Sequence, residues 1–348
     1  MKRIPVSVPA SIAALVLLLY GVSHAHSQTI SAVSNSDAQL GRTLYREGKY
    51  VEALLSFKKA VKVNAKDGDA WYYLGATSLQ LKDFKNASKA FERACKLQPN
   101  SVRPRSGLAL SLLQRNQLKD AFQEARRAVA LDAAYPEAHV VLGVWHLQMG
   151  DRVKALDEAD RAITLNQNYA EAYLLRSQAL VQFTSGALVP PELETPEDHA
   201  NSLQSAADSL EKFLQLTLPS VERLRWNEQL AGLKFHLAMR SRKTREENDV
   251  YNSKQVTTKV KLTSKPEPEY TELASSNNVV GTVILRALLA ADGTVKHIIV
   301  VQGLPDGLTW EAVRAAQRIK FVPATLEGRS VGVLMQLEYN FNGTRVLR

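Results

Sequence analysis

Over roughly its first half, the chain repeats its small and apolar positions with a period of 34. Ala53, Ala87, Ala121 and Ala155 stand 34 apart, as do Ala60, Ala94, Ala128 and Ala162. Leu40, Leu74, Leu108 and Leu142 form another column. Gly41, Gly75 and Gly143 form a fourth, with Ala109 in the gap; Phe57 and Phe91 begin a fifth, continued by Ala125 and Ala159. Columns kept in one register over four repeats (34–67, 68–101, 102–135 and 136–169) predict a stack of identical units. Each unit reads as two antiparallel helices. Small residues let the helix backbones approach, and Trp71, Leu74 and Phe91 fill the space between pairs. A further pair starts at Ala170 and is interrupted by an inserted loop, 184–198, whose Pro190-Pro191 cannot continue a helix. Helical spacing resumes at Ala206, Leu210 and Phe213. An amphipathic helix from Val221 to about Arg242 is expected to cap the stack, because a terminal unit otherwise exposes its apolar face.

Beyond this helical region (34–242) the period changes from 3.6 to 2. Residues 243–259 turn polar and then β-branched and read as a linker. In "KPEPEY", Pro266, Pro268 and Tyr270 fall on one side of an extended segment, and Thr271 is placed to cap a short helical turn. Val283, Leu285, Ala287 and Leu289 share one face of a strand. Asp292-Gly293 is a type I′ hairpin signal, and Val295, His297, Ile299 and Val301 share a face of the returning strand, with Ile298 and Val300 opposite. Leu308, Ala312, Ala315, Ala316 and Ile319 have helical spacing. Val331, Val333, Met335, Leu337, Tyr339 and Phe341 then alternate as a strand with one buried face. Residues 260–348 therefore read as β-β-α-β, and the chain as an α+β multidomain protein.

Charge and chemistry narrow the picture. The 348 residues carry a formal charge of +9, yet the densest basic run, Arg240 to Asn248, is broken by two glutamates, which argues against a nucleic-acid partner. Lys2 and Arg3 precede an apolar segment, Ile12–Val22, followed by Ser23 and Ala25 in the spacing of an export cleavage site, so 1–25 reads as a signal peptide. Eleven helical residues span only ~16 Å, short of a ~30 Å hydrocarbon core. A single cysteine, Cys95, rules out an intramolecular disulfide. His139 and His146 lie seven apart on one helix rather than at ligand spacing, and no metal site is expected there. Glu158 and Arg161 read as a solvated surface pair. There is no Gly-rich phosphate loop, no G-x-S-x-G and no H-E-x-x-H, so no catalytic residue and no cofactor are expected.

Two families are resembled. The stretch from Gly68 to Asn100 resembles the tetratricopeptide pattern through Trp71, Leu74-Gly75, Ala87, Phe91, Ala94 and Pro99. Val260 to Phe341 resembles the C-terminal domain of TonB, the periplasmic energy transducer. That likeness rests on Pro266, Pro268 and Tyr270 as a domain-entrance motif, Gly281-Thr282-Val283, Asp292-Gly293 with Val295, Gly307-Leu308, and Phe321 with Pro323. Thr271 and Ile319 depart from it where the family has proline and often tryptophan. The first resemblance implies an all-α tetratricopeptide superhelix whose groove takes a peptide or helix of a partner. The second implies binding of the N-terminal box of TonB-dependent outer-membrane receptors by β-strand addition. The expected acceptor is an edge formed by the last strand, with Val331, Val333, Met335, Leu337 and Tyr339 as candidate contact residues. The expected whole is an exported, non-enzymatic adaptor of the periplasm. In the alternative, 1–25 stays uncleaved as an inner-membrane anchor and the chain transduces energy. No Pro-rich spacer of the kind that reading requires is present.

Overall fold

The computed structural model describes residues 36–183, 196–240 and 242–342. Residues 1–25, expected to be a signal peptide, and most of the inserted loop expected at 184–198 lie outside these residues. The chain divides between Ser111 and Leu112 into two compact units.

The first unit holds a helix over 36–46 (α1), α2 (Tyr50–Val63), α3 (Gly68–Gln80), α4 (Phe84–Leu97) and most of α5 (Val102–Gln114). Its core is built from the predicted columns: Ala53, Ala60, Ala87 and Ala94 are fully buried, with Phe57 and Phe91 between them. Small size matters because neighbours sit close. A Cβ added to Gly75 would lie 2.8 Å from the Phe91 ring, and one added to Gly107 2.5 Å from it. The close approach to Phe91 from α5 is thus made at Gly107, two residues before the column position Ala109. Leu40 breaks its column: it is 51% exposed while Leu74, Leu108 and Leu142 are buried, because no earlier helix among the described residues packs on the first pair.

The second unit continues with α6 (Leu118–Leu131), α7 (Pro136–Gln148), α8 (Arg152–Leu165), α9 (Ala170–Phe183), α10 (Pro196–Leu216) and α11 (Val221–Ala238). One turn geometry recurs in the helical repeats of both units. Gly48, Lys82, Asn116 and Gly150, each 34 residues from the next, have φ of 74°, 60°, 55° and 78°. This left-handed residue ends the first helix of a pair. Asp83 and Asp151 then cap the second helix, accepting from the backbone N–H of Asn86 and Lys154.

The same unit includes a sheet. The expected linker 243–259 carries α12 (Arg242–Glu247) and β1 (Val250–Tyr251), which pairs in parallel with the last strand. Then follow β2 (Lys261–Ser264), α13 (Glu272–Ser276), β3 (Gly281–Leu289), β4 (Val295–Gln302), α14 (Leu308–Gln317), β5 (Lys320–Val322), β6 (Ala324–Leu326) and β7 (Arg329–Phe341). The main sheet runs β1-β7-β3-β4 with β6 beside β7, and β2 pairs with β5 separately. The β-β-α-β core of the domain is present, with these short strands added to it.

Two local expectations change. Among the described residues Gly293 is left-handed (φ 79°) and Asp292 is not, and the Ala290 N–H bonds to Thr294 O at 2.9 Å. The connection is therefore a three-residue loop ending in a left-handed glycine, not a type I′ turn. His297 has φ 49° at a shift in the β3–β4 register. This bulge breaks the expected alternation. Ile298, Val295 and Val300 join the core with α14, while Ile299 and Val301 turn to the opposite face and join Leu210 and Leu233 of α10 and α11.

Candidate protein-interaction surfaces

β7 is not an edge along its whole length. It pairs with β3 from Val333 to Phe341. β6 pairs with Arg329–Val331 before the β3 pairing begins, and on the side away from β3, β1 pairs with Gly332 and Val333. The expected contact residues Val331 and Val333 therefore lie on a strand flanked at that end, and their side chains are buried in a small core with Ala324. Leu337 and Tyr339 are buried in the core beneath α14, and Met335 packs against it. Over 334–341 no strand pairs with the second side among the described residues.

The orientation of the free backbone groups follows from two bonds. Gly332 N–H donates to Asp249 O at 2.8 Å, and Glu338 O accepts from Lys265 Nζ at 2.7 Å. Backbone groups alternate between the two sides of an antiparallel strand, so the even-numbered residues 334–340 face away from β3. What this edge offers is main chain; the odd-numbered side chains belong to the core.

The entrance motif supports the edge from beside it. Pro266, Pro268 and Tyr270 are half-buried while Lys265, Glu267 and Glu269 are exposed. The Tyr270 ring meets Phe341 edge-on at 5.8 Å, and its hydroxyl donates to Val279 O. Thr271 Oγ1 accepts from Ala274 N–H at 3.1 Å, capping α13, and donates to Asp306 O at 2.6 Å. Burial pushes the Tyr339 hydroxyl up to about 12.

The opposite edge, β4, is closed by α11. Gln229 Nε2 donates to Ile298 O at 3.1 Å, and its Oε1 accepts from Val300 N–H at 2.7 Å. His236 Nε2 lies 2.8 Å from His297 O, Phe235 stacks on the His297 ring at 3.7 Å, and Trp226 meets Trp310 of α14 edge-on at 5.7 Å. α11, in the stretch expected to cap the repeats, shares a core with α10 through Leu233 and holds the sheet through Gln229. Beside this contact lies a cavity of about 990 Å³ bounded by α7–α11, β4 and the 303–307 loop.

In the first unit the first helix of each pair contributes to an aromatic and basic face. Arg103 lies over the Tyr72 ring at 4.2 Å and Arg42 over Tyr73 at 5.3 Å, while Tyr73 stacks on Phe57. Tyr73 thus has a packing role, as does Tyr72 against Phe91; Tyr173 donates its hydroxyl to Gln167 O.

Glu158 is not a solvated surface carboxylate. It is buried, and its Oε2 lies 2.6 Å from His139 Nδ1; His139 Nε2 lies 2.9 Å from Ala133 O. Both partners are acceptors, so both ring nitrogens donate and the imidazolium is favoured. The hydrogen bond to Glu158 raises the His139 pKa. Sequence spacing along α7 misses this pair because Glu158 comes from α8. Among the described residues no cluster of metal-ligating side chains forms, and no helix is long and apolar enough to cross a membrane.

Comparison with known proteins gives two family matches. The profile for the Gram-negative bacterial TonB protein C-terminal covers residues 266–342, and that for the tetratricopeptide repeat covers 39–102 and 79–139. No curated protein matches the sequence. Among solved structures, a thermophilic TPR protein of Thermus thermophilus is similar at 20% identity, covering 58% of this chain and 99% of that one, with a TM-score of 0.47. The type IV pilus biogenesis factor PilW is similar at 19% identity, covering 62% and 91%, with a TM-score of 0.46. Pseudomonas aeruginosa PilF is similar at 18% identity, covering 63% and 90%, with a TM-score of 0.45.

Proposed function

We propose that this chain, in which tetratricopeptide repeats are followed by a TonB C-terminal domain, is an exported adaptor that joins two envelope proteins. Both modules are of kinds that generally act as non-catalytic interaction scaffolds. The TonB-like domain takes an extended peptide, such as the N-terminal box of a TonB-dependent outer-membrane receptor, as an added strand. The helical repeats hold the second partner. The observation that carries the strand-addition reading is the unpaired side of β7 over 334–341, whose outward groups are those an incoming strand needs. In this reading 1–25 is removed on export and the adaptor works in the periplasm.

The experiment has two arms. Hydrogen exchange on the full chain with a receptor-box peptide is expected to show new protection at the amides of 334–341; protection elsewhere, or none, overturns strand addition. Mass determination of the native amino terminus is expected to give a chain starting at His26. A chain retaining 1–25 overturns the soluble adaptor in favour of an anchored transducer.

A further inference from the structure

The net charge of the chain is unevenly placed. Residues 36–111 carry fourteen Lys and Arg against seven Asp and Glu, a net +7 of the chain's +9; Lys2 and Arg3 supply the rest, and residues 112–348 balance. We propose that the basic face formed by α2 and α4 in the first unit is a docking surface for an anionic phospholipid bilayer. It lies on the second helices of the pairs, whereas the aromatic and basic face described above lies on the first, and it does not depend on the adaptor reading.

Helical spacing builds this face. Val51, Leu55, Lys58, Lys59 and Lys62 of α2 follow at intervals of four, three, one and three, as do Lys85, Lys89, Glu92, Arg93 and Lys96 of α4. That spacing puts each set on one side of its helix, and all ten residues are exposed. From the opposite sides, Ala53, Phe57 and Ala60 of α2 and Ala90 of α4 share one buried core. The two stripes therefore project from one body. They hold seven cationic side chains and one carboxylate, Glu92; the only other acidic residue on either helix is Glu52.

These cations are not neutralised within the protein. None of the seven takes part in an ion pair among the described residues, unlike Arg42 with Asp69 and Lys49 with Glu47. Basic clusters of this size on amphipathic helices are drawn to the negative potential of an anionic lipid surface.

Other features of the stripes favour a bilayer over other polyanions. Val51 and Leu55 are 61% and 56% exposed in line with the lysines of α2, placed to enter the headgroup boundary while the charges stay in water. Six of the seven cations are Lys, whose compact charge on a flexible stem suits a headgroup layer without fixed geometry; a phosphate held at one site favours the Arg fork. Neither stripe carries an aromatic side chain on which a nucleic-acid base could stack.

The test uses the chain beginning at His26, so that Ile12–Val22 cannot itself insert, and flotation with vesicles of mixed phosphatidylglycerol and phosphatidylcholine. Binding is expected to these and not to pure phosphatidylcholine. It should fall as NaCl rises from about 0.1 to about 1 M, which shortens the screening length from ~10 to ~3 Å. The triple variant Lys58→Gln, Lys62→Gln, Lys89→Gln should lose on the order of tenfold or more in partitioning, and Leu55→Ser should lose several-fold on vesicles but not on polyglutamate. Circular dichroism melting verifies folding; if the triple variant melts early, Lys85→Gln, Lys89→Gln, Lys96→Gln takes its place with the same expected loss. Absence of binding, equal binding to pure phosphatidylcholine, or unchanged partitioning in the folded variant would each overturn the proposal. So would an equal loss in Lys254→Gln, Lys259→Gln, Lys261→Gln, which removes the same charge from elsewhere. Tighter binding to a DNA duplex or to polyglutamate than to vesicles of equal anion concentration would replace the bilayer with that class of polyanion.

Discussion

The carboxamide of Gln229 and the backbone of Val300 are bonded as two neighbouring strands would be: Oε1 accepts the Val300 N–H at 2.7 Å, while Nε2 reaches Ile298 O. One helix side chain therefore closes the β4 edge. Gln229 is 6% exposed, so Gln229→Ala leaves a buried donor and acceptor unpaired, at a cost of about 2 kcal/mol. Urea unfolding of the variant should show that loss, and hydrogen exchange should speed up at Val300. An unchanged Val300 exchange rate would mean the contact does not hold the edge.

His236, beside that contact, makes it acid-sensitive. Burial lowers its pKa to about 4 from an ordinary 6.5, despite the bond to His297 O, and Arg286 and His297 disfavour its charge further. The unfolded chain binds the proton first as pH falls. The contribution is thus complete above pH 6.5 and lost between 6.5 and 4, amounting to about 3 kcal/mol. His236→Gln, which keeps a donor and does not titrate, should flatten unfolding free energy across that window.

His139 acts in the other direction. Its pKa is raised, first by the hydrogen bond to Glu158, so the folded state holds the proton more tightly. Its contribution is complete below the ordinary value of 6.5 and declines as pH rises through the folded value. His139→Gln should be less stable than the parent at pH 6, with the difference shrinking toward pH 9. A difference that does not change with pH would assign the loss to packing alone.

Lys265 guards the open side of β7. Its ammonium donates to Glu338 O and lies 4.7 Å from the Tyr339 ring centre, and edge lysines oppose strand-to-strand association. Lys265→Ala should increase self-association in sedimentation experiments, and adding Gln336→Pro should reverse it by deleting an outward N–H.

Of the two glycines that face Phe91, Gly107 leaves less room than Gly75. A methyl there would meet the ring at 2.5 Å, and overpacking of this kind costs about 1–3 kcal/mol. Gly107→Ala should lower the melting temperature, and Phe91→Leu should recover part of the loss in the double variant.

Much of the architecture was legible in the sequence because it depends on short-range spacing. The alanine columns, Phe57, Phe91 and the paired helices follow from a 34-residue period, and the entrance motif with the Thr271 cap follows from local backbone rules. The four left-handed turn residues share a position but not an identity; Gly48, Lys82, Asn116 and Gly150 are recognised as a set only once φ is known. The His297 bulge escaped for a related reason: alternation assumes an unbroken strand, and one extra residue reverses every face beyond it.

Sequence alone determined the two modules, their order and the core face of β7, since periodicity states which side of an element is apolar. Tertiary structure alone decided which edges are open. Edge status depends on what other segments supply: β1 covers Gly332 and Val333 of β7, and Gln229 seals β4; in the same way Glu158 reaches His139 from the neighbouring helix. Those partners are distant in the chain and leave no mark on the local pattern, so the usable edge shrank from the whole strand to 334–341.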